Sequence, residues 1–189
     1  METSEVAGDK KKARRQGRLI VFVDESGLST QPTRARTWAP RGQTPLLQET
    51  FNWKSLSMIG GLVLWRFYFQ IYPGSIKGLQ VIEFLKHLQR HVPGKLLVIW
   101  DGASIHRSKA VRDYIASTKG NLEVERLPAY APELNPVEYM WAQLKTHEIA
   151  NLVATKAWEL SFEATAALRR MRRRPSILTA CYAQAELWP

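Results

Sequence analysis

Three acidic residues, Asp24, Asp101 and Glu138, stand where side chains of their type could work together on a metal ion. Asp24 follows the apolar run Leu19-Ile20-Val21-Phe22-Val23, and Asp101 follows Leu96-Leu97-Val98-Ile99-Trp100. Short runs of this kind, rich in β-branched residues, read as strands buried on both faces. Each aspartate is therefore expected at a strand's carboxyl end, with Asp24 opening a turn. Ligand sites in open α/β sheets gather at such ends, and a carboxylate on a following helix can reach the same point. Taken singly, each acid also has a structural reading. Asp24 can open a turn, Asp101-Gly102 is a common turn dipeptide, and Glu138 has the spacing of a capping-box partner for Asn135, with Pro136 between. Taken together, three carboxylates repel by about 4 kcal/mol per pair at ~4 Å and an effective dielectric of ~20, so they need a cation, protonation or separation. Oxygen-only donors favour Mg²⁺ or Mn²⁺ over Zn²⁺. Two such ions about 3.5–4 Å apart clamp the attacking and leaving oxygens of an in-line phosphoryl displacement. Glu25 competes with Asp24 but should point the other way from the strand end, and Glu133 precedes the helix that carries Glu138.

The elements that would position these acids follow from pattern. Between the two apolar runs, Leu56–Leu64 and Phe67–Tyr72 are strand-like and complete an antiparallel meander with the first strand. Residues 75–92 read as a helix with Ile76, Leu79, Ile82, Leu85 and Leu88 on an apolar stripe, widened by Val81 and Phe84, and Pro93-Gly94 stops it. A helix over 108–117, a strand over 122–127, a loop over 128–136 with three prolines, and helices over 136–151 and 156–174 come next. Pro175 begins a last short helix. The order is mixed α/β: a three-strand meander plus two further strands, flanked by helices. Residues 1–18 read as a flexible basic lead-in, 19–152 as the core, and 153–189 as a basic helical extension packed on it.

The chain has 189 residues, 45% of them hydrophobic, enough for one folded domain. Its 27 Lys and Arg against 17 acids give +10, which suits a polyanionic partner. Cys181 is the only cysteine, which rules out an intrachain disulfide or a thiol-rich metal site and points to a reducing, cytoplasmic setting. No apolar run has the length of a membrane span. Arg34, Arg36, Trp38 and Arg41 place cations around an aromatic, a set that could grip phosphate and stack on a base; a Trp packed under its loop fits equally well. Lys145 and His147 could face DNA or simply solvent, and so could Arg170 and Arg173 in the basic run 169–174. His87 and His91 have a Zn²⁺-binding spacing without a third ligand, and Trp141 reads as core.

The segment Ala129–Lys145 (AYAPELNPVEYMWAQLK) resembles the third catalytic motif of mariner-superfamily transposases in the bacterial insertion-sequence branch. Val23–Gly27 (VDESG) is similar to the first motif, Trp100–His106 (WDGASIH) to the second, and Arg36–Gly42 (RTWAPRG) to the stretch after the first. The resemblance runs from about Lys10 to about Tyr182. It implies a ribonuclease-H-like fold, with Asp24, Asp101 and Glu138 as the metal-binding catalytic triad for two Mg²⁺ or Mn²⁺ ions. It also implies cleavage at transposon ends, transfer of the freed 3′-hydroxyl into target DNA, and a bacterial, nucleoid-associated setting. His106 matches the histidine of the second motif and could orient the scissile phosphate or a water. Family members carry helix-turn-helix modules ahead of the catalytic domain, which an upstream reading frame could supply here, and a homodimer assembled on DNA is expected. A nuclease of the same fold without strand transfer, and a non-catalytic DNA-binding derivative, are the alternatives.

Overall fold

The computed structural model describes residues 2–43, 46–47, 54–128 and 131–187. Ala129 and Tyr130, the first two residues of the third motif, lie outside them. Helix α1 (Glu2–Gln16) leads into β1 (Arg18–Ser29), β2 (Ser55–Val63) and β3 (Arg66–Pro73). Then come α2 (Gly78–His91), β4 (Lys95–Trp100), a 3₁₀ turn (Ser104–Arg107), α3 (Lys109–Ser117) and β5 (Leu122–Arg126). A second 3₁₀ turn (Pro132–Leu134) precedes α4 (Pro136–Gln143), a π turn (Leu144–Glu148), α5 (Ala157–Met171) and α6 (Pro175–Gln184).

The five strands form one sheet in the order β3-β2-β1-β4-β5. β1, β2 and β3 pair antiparallel as the expected meander, while β4 and β5 run parallel to β1. The β1–β4 pairing ends at Phe22–Ile99, and two further steps of the same register bring Asp24 level with Asp101. Side chains alternate across a strand, so the register also decides faces. Phe22, Leu97 and Ile99 pack under α4, α5 and α6, whereas Val21, Val23, Leu96, Val98 and Trp100 pack under α2 and α3. Asp24 and Asp101 continue the first set, and Glu25 the second.

Three expectations are corrected. β1 does not end before Asp24 but continues to Ser29, because pairing with β2 holds the strand from Phe22–Leu62 to Ser29–Ser55 after β4 has stopped. Leu79 is not on the buried stripe of α2: it is 68% exposed, and the buried face is Val81, Phe84, Leu85 and Leu88. At ~100° per residue, Leu79 sits roughly 160° from Val81 around the helix. The basic lead-in is helical, with Ala13 buried in the core and Lys10 and Lys12 bonded to the Leu187 carbonyl and to Glu125.

Candidate active site

Asp24, Asp101 and Glu138 line one cavity of about 460 Å³, together with Gly102, Ala103, Leu127 and Asn135 among others. Asp24 is only 7% exposed. Its Oδ2 accepts a hydrogen bond from Trp141 Nε1 at 2.8 Å. Burial, then the charges of Glu138, Glu25 and Asp101, push its carboxyl up to about 8 despite the indole donor. A group in that condition either keeps its proton or awaits a cation.

The indole reaches Asp24 because the sheet leaves room for it. Gly60 is the β2 partner of Asp24, and a Cβ there would lie 2.7 Å from Trp141 Cη2 and 2.8 Å from Phe67 Cζ. Trp141 lies three residues after Glu138, about one helical turn, so the two share a side of α4. The helix is tied to β1 by Asn135, a buried side chain with two tasks. Its Oδ1 caps the helix by accepting from Val137 N at 3.2 Å, and its Nδ2 donates to the Val23 carbonyl at 3.1 Å. The Asn135 N–H already serves the Pro132 carbonyl, so Glu138 is not needed as a capping-box partner and lines the cavity instead. Lys145, further along the same segment, donates to Ser26 Oγ at 2.7 Å, two residues beyond Asp24 on the same face of β1.

Asp101 is held from the other side. Its Oδ1 accepts from Ala103 N at 2.9 Å and lies 3.0 Å from His106 Nδ1, and among the described residues no donor reaches Oδ2. His106 Nε2 lies 3.0 Å from Glu25 Oε1, and the imidazole stacks on Trp100 at 4.1 Å and 4°. Burial opposes its charge, but hydrogen bonds to Asp101 and Glu25 outweigh that and raise it to about 9. The same bond from His106 holds Asp101 below the usual carboxylate range. Glu25, Asp101 and His106 bring ligand atoms within 4.8 Å of one another. That group already contains its own cation, whose two ring nitrogens both face carboxylates, so a metal there would have to displace the imidazole proton. In the cavity, Asp101 shares that imidazole, while Asp24 has only the neutral indole in return.

Of the residues weighed for DNA contact, His106 is 4% exposed and has both ring nitrogens engaged by protein carboxylates. Trp38 is 100% exposed in the loop after β1 and does not pack beneath it; Arg34, Arg36 and Arg41 are exposed beside it. The loop's base is clipped by Asn151, whose backbone and side chain bond Thr33 and Ala35. Arg170 and Arg174 bracket Glu148 at 3.2 and 3.1 Å. Arg173 borders a separate depression with Trp65, Arg66 and Tyr68. The His87 and His91 rings lie 4.2 Å apart, tilted by 40°, and among the described residues no carboxylate joins them in a metal-holding group. Sequence reasoning reads Asn135 as a cap and Trp141 as core, and misses Gly60 and the bonds of Trp141 to Asp24 and of Asn135 to Val23. An Asn before a Pro signals a cap, but nothing local signals the partner across the fold.

The model of the family described as DDE superfamily endonuclease matches residues 19–159. No curated protein matches the chain. Among solved structures, the chain is similar to a Mos1 transposase paired-end complex with left transposon end, at 22% identity and TM-score 0.61, covering 93% of this chain and 58% of that one. It is similar to the Mos1 strand transfer complex at 20% identity and TM-score 0.57, covering 98% and 60%. Against the catalytic domain of Mos1 mariner transposase the values are 18% and 0.52, covering 95% and 89%. The chain thus spans about three-fifths of the length of the transposase chains in those complexes. At these identities the likeness shows the fold, which is the ribonuclease-H-like one expected.

Proposed function

The chain belongs to the DDE superfamily of endonucleases, and on that premise we propose that it is the catalytic domain of a cut-and-paste DNA transposase. The observation that carries this reading is the single cavity shared by Asp24, Asp101 and Glu138. Mos1 paired-end complexes solved with Mn and with Mg have the same fold. The donors here fit such ions: they are all oxygens, and the buried Asp24 carboxyl is strained by its acidic neighbours in a way that a cation relieves. Asp24, Asp101 and Glu138 would hold two Mg²⁺ or Mn²⁺ ions, which when bound supply charge neutralisation at the phosphate and an activated water.

The chain's own residues prepare that seat. Trp141 fixes one oxygen of Asp24, and His106 with the Ala103 N–H fixes one oxygen of Asp101, leaving the other for the cavity. Asn135 anchors the helix that presents Glu138. Lys145, with Arg34, Arg36, Trp38 and Arg41 on the loop, would meet DNA around the cut, and Arg170 and Arg173 would meet it farther away. Transposon ends and target DNA are the partners under this reading. Residues 19–152 act as the core and 153–189 as its helical extension. A helix-turn-helix module would choose the ends, and a homodimer would assemble on them.

The test supplies the chain with supercoiled plasmid and with a duplex bearing a pre-cut 3′-hydroxyl. Wild type is expected to nick the plasmid and to join the duplex to it, in both cases only with Mg²⁺ or Mn²⁺. Asp101→Asn and Glu138→Gln should lower both rates by more than the about 10–100-fold typical of losing a supporting partner, with calorimetry showing weakened metal binding. Full cleavage by either variant removes that residue from the mechanism. Cleavage without joining turns the reading to a nuclease of the same fold, and metal-independent DNA binding without cleavage turns it to a non-catalytic derivative.

A further inference from the structure

A second cavity, of about 580 Å³, opens on the α3 side of the sheet, beside β5. Trp100, Ile115 and Val124 of the core under α2 and α3 form its apolar wall, and His106 closes it toward the carboxylates. Three arginines line it from three different elements: Arg107 from the 3₁₀ turn, Arg112 from α3 and Arg126 from β5. All three are exposed, and none pairs with an acid among the described residues. Neighbouring cations are matched, Lys12 with Glu123 and Glu125, Arg18 with Glu123, and Lys109 with Asp113. The acids lining the cavity are Asp9 and Glu125, and Glu125 is the one that Lys12 holds.

Like charges gathered on an open cavity carry a repulsive cost that an anion removes, and guanidinium groups match phosphate bidentately. The openness suits a long anion better than a small enclosed one, because the arginines come from separate elements around a rim. Position adds to this. Asp101, Gly102 and Ala103 line the carboxylate cavity, while His106 and Arg107, at the other end of the same short loop, line this one. A nucleic-acid strand laid over residues 101–107 would enter both.

We propose that Arg107, Arg112 and Arg126 form a backbone-phosphate site for the DNA strand that runs on from the cut position across this loop. The proposal rests on the reading of the chain as a DNA-cutting domain. Phosphate contacts of this kind set position rather than sequence preference. The site would hold the strand in register against the carboxylates without touching the reacting atoms.

The experiment measures duplex binding by fluorescence anisotropy across a salt series. Each neutralised phosphate contributes about −0.9 to the log–log slope, so Arg107→Ala/Arg112→Ala/Arg126→Ala together should flatten the wild-type slope by roughly 2 to 3. The corresponding triple Arg→Lys variant should keep most of it. A second readout uses the unaltered chain: arginine modification by a phenylglyoxal reagent, mapped by mass spectrometry, should be blocked at these three positions by duplex DNA. Wild-type binding with an unchanged slope in the Ala variant, or full modification of the three arginines under saturating duplex, overturns the site while leaving the DNA reading intact. Protection by a polyglutamate peptide and not by DNA overturns it in favour of a protein partner. Failure of the wild type to bind any duplex overturns both readings.

Discussion

Asp24 is 7% exposed, and its carboxyl group lies beside three other acids with one indole N–H in return. In an unfolded chain such a group ionises near 3.9; in the folded metal-free protein it is pushed up to about 8. The folded pKa is raised, so Asp24 does not weaken the fold below about pH 4. Stability is then lost as pH climbs through the interval up to the folded value. Each pKa unit corresponds to about 1.4 kcal/mol, so the loss by pH 8 amounts to a few kcal/mol. Asp24→Asn keeps an acceptor for the Trp141 indole and removes the titration. In EDTA, its melting temperature should exceed that of the wild type by a margin that widens from pH 5 to pH 8. Mg²⁺ should raise the wild type and leave the variant behind. A margin that does not change with pH would show that the carboxyl is not strained by its surroundings.

At the scale of elements, the geometry of the carboxylate cavity depends on how closely α4 lies on the sheet. Gly60 has no side chain where Trp141 and Phe67 lie under 3 Å from an added Cβ, and both are rigid rings in a packed core. Gly61 faces the other layer, where a Cβ would meet Phe84 and Leu88 at 3.2 and 3.3 Å, a tighter-than-usual contact with side-chain tips. Gly60→Ala should therefore cost about 1–3 kcal/mol through overpacking, and should weaken Mg²⁺ binding because the displaced indole releases Asp24. Gly61→Ala should leave metal affinity unchanged even if it lowers the melting temperature. Calorimetric metal titration beside thermal melting separates the two. Equal metal affinity in Gly60→Ala and wild type would show that Trp141 does not position Asp24.

At the scale of the molecule, the proposed function sets a chain of net charge +10, which attracts DNA, against a pocket of carboxylates, which repels its phosphates. Binding driven by such a surface is salt-dependent: six to ten phosphate contacts imply a loss of about 10³–10⁵ in affinity between roughly 50 and 200 mM salt. The intact chain should follow that fall in anisotropy titrations with a duplex of arbitrary sequence. A flat salt response would mean that the excess of cations is not what holds DNA.

Much of this arrangement was legible in the sequence. The apolar runs before Asp24 and Asp101, the meander between them, and the cap at Asn135-Pro136 are set by residues adjacent in the chain, since side-chain alternation and capping are local chemistry. Locally encoded signals also have limits. The run of apolar residues could not show that β1 continues to Ser29, because the pairing that extends it comes from β2. Nor could it assign Trp141 to Asp24, Asn135 to the Val23 carbonyl or His106 to Glu25, pairs that are 117, 112 and 81 residues apart. The sequence by itself determined which acids end up on the central strands and the following helix. Only the tertiary structure decided which of them share a cavity, because a one-residue change of register would send each side chain to the opposite face of the sheet.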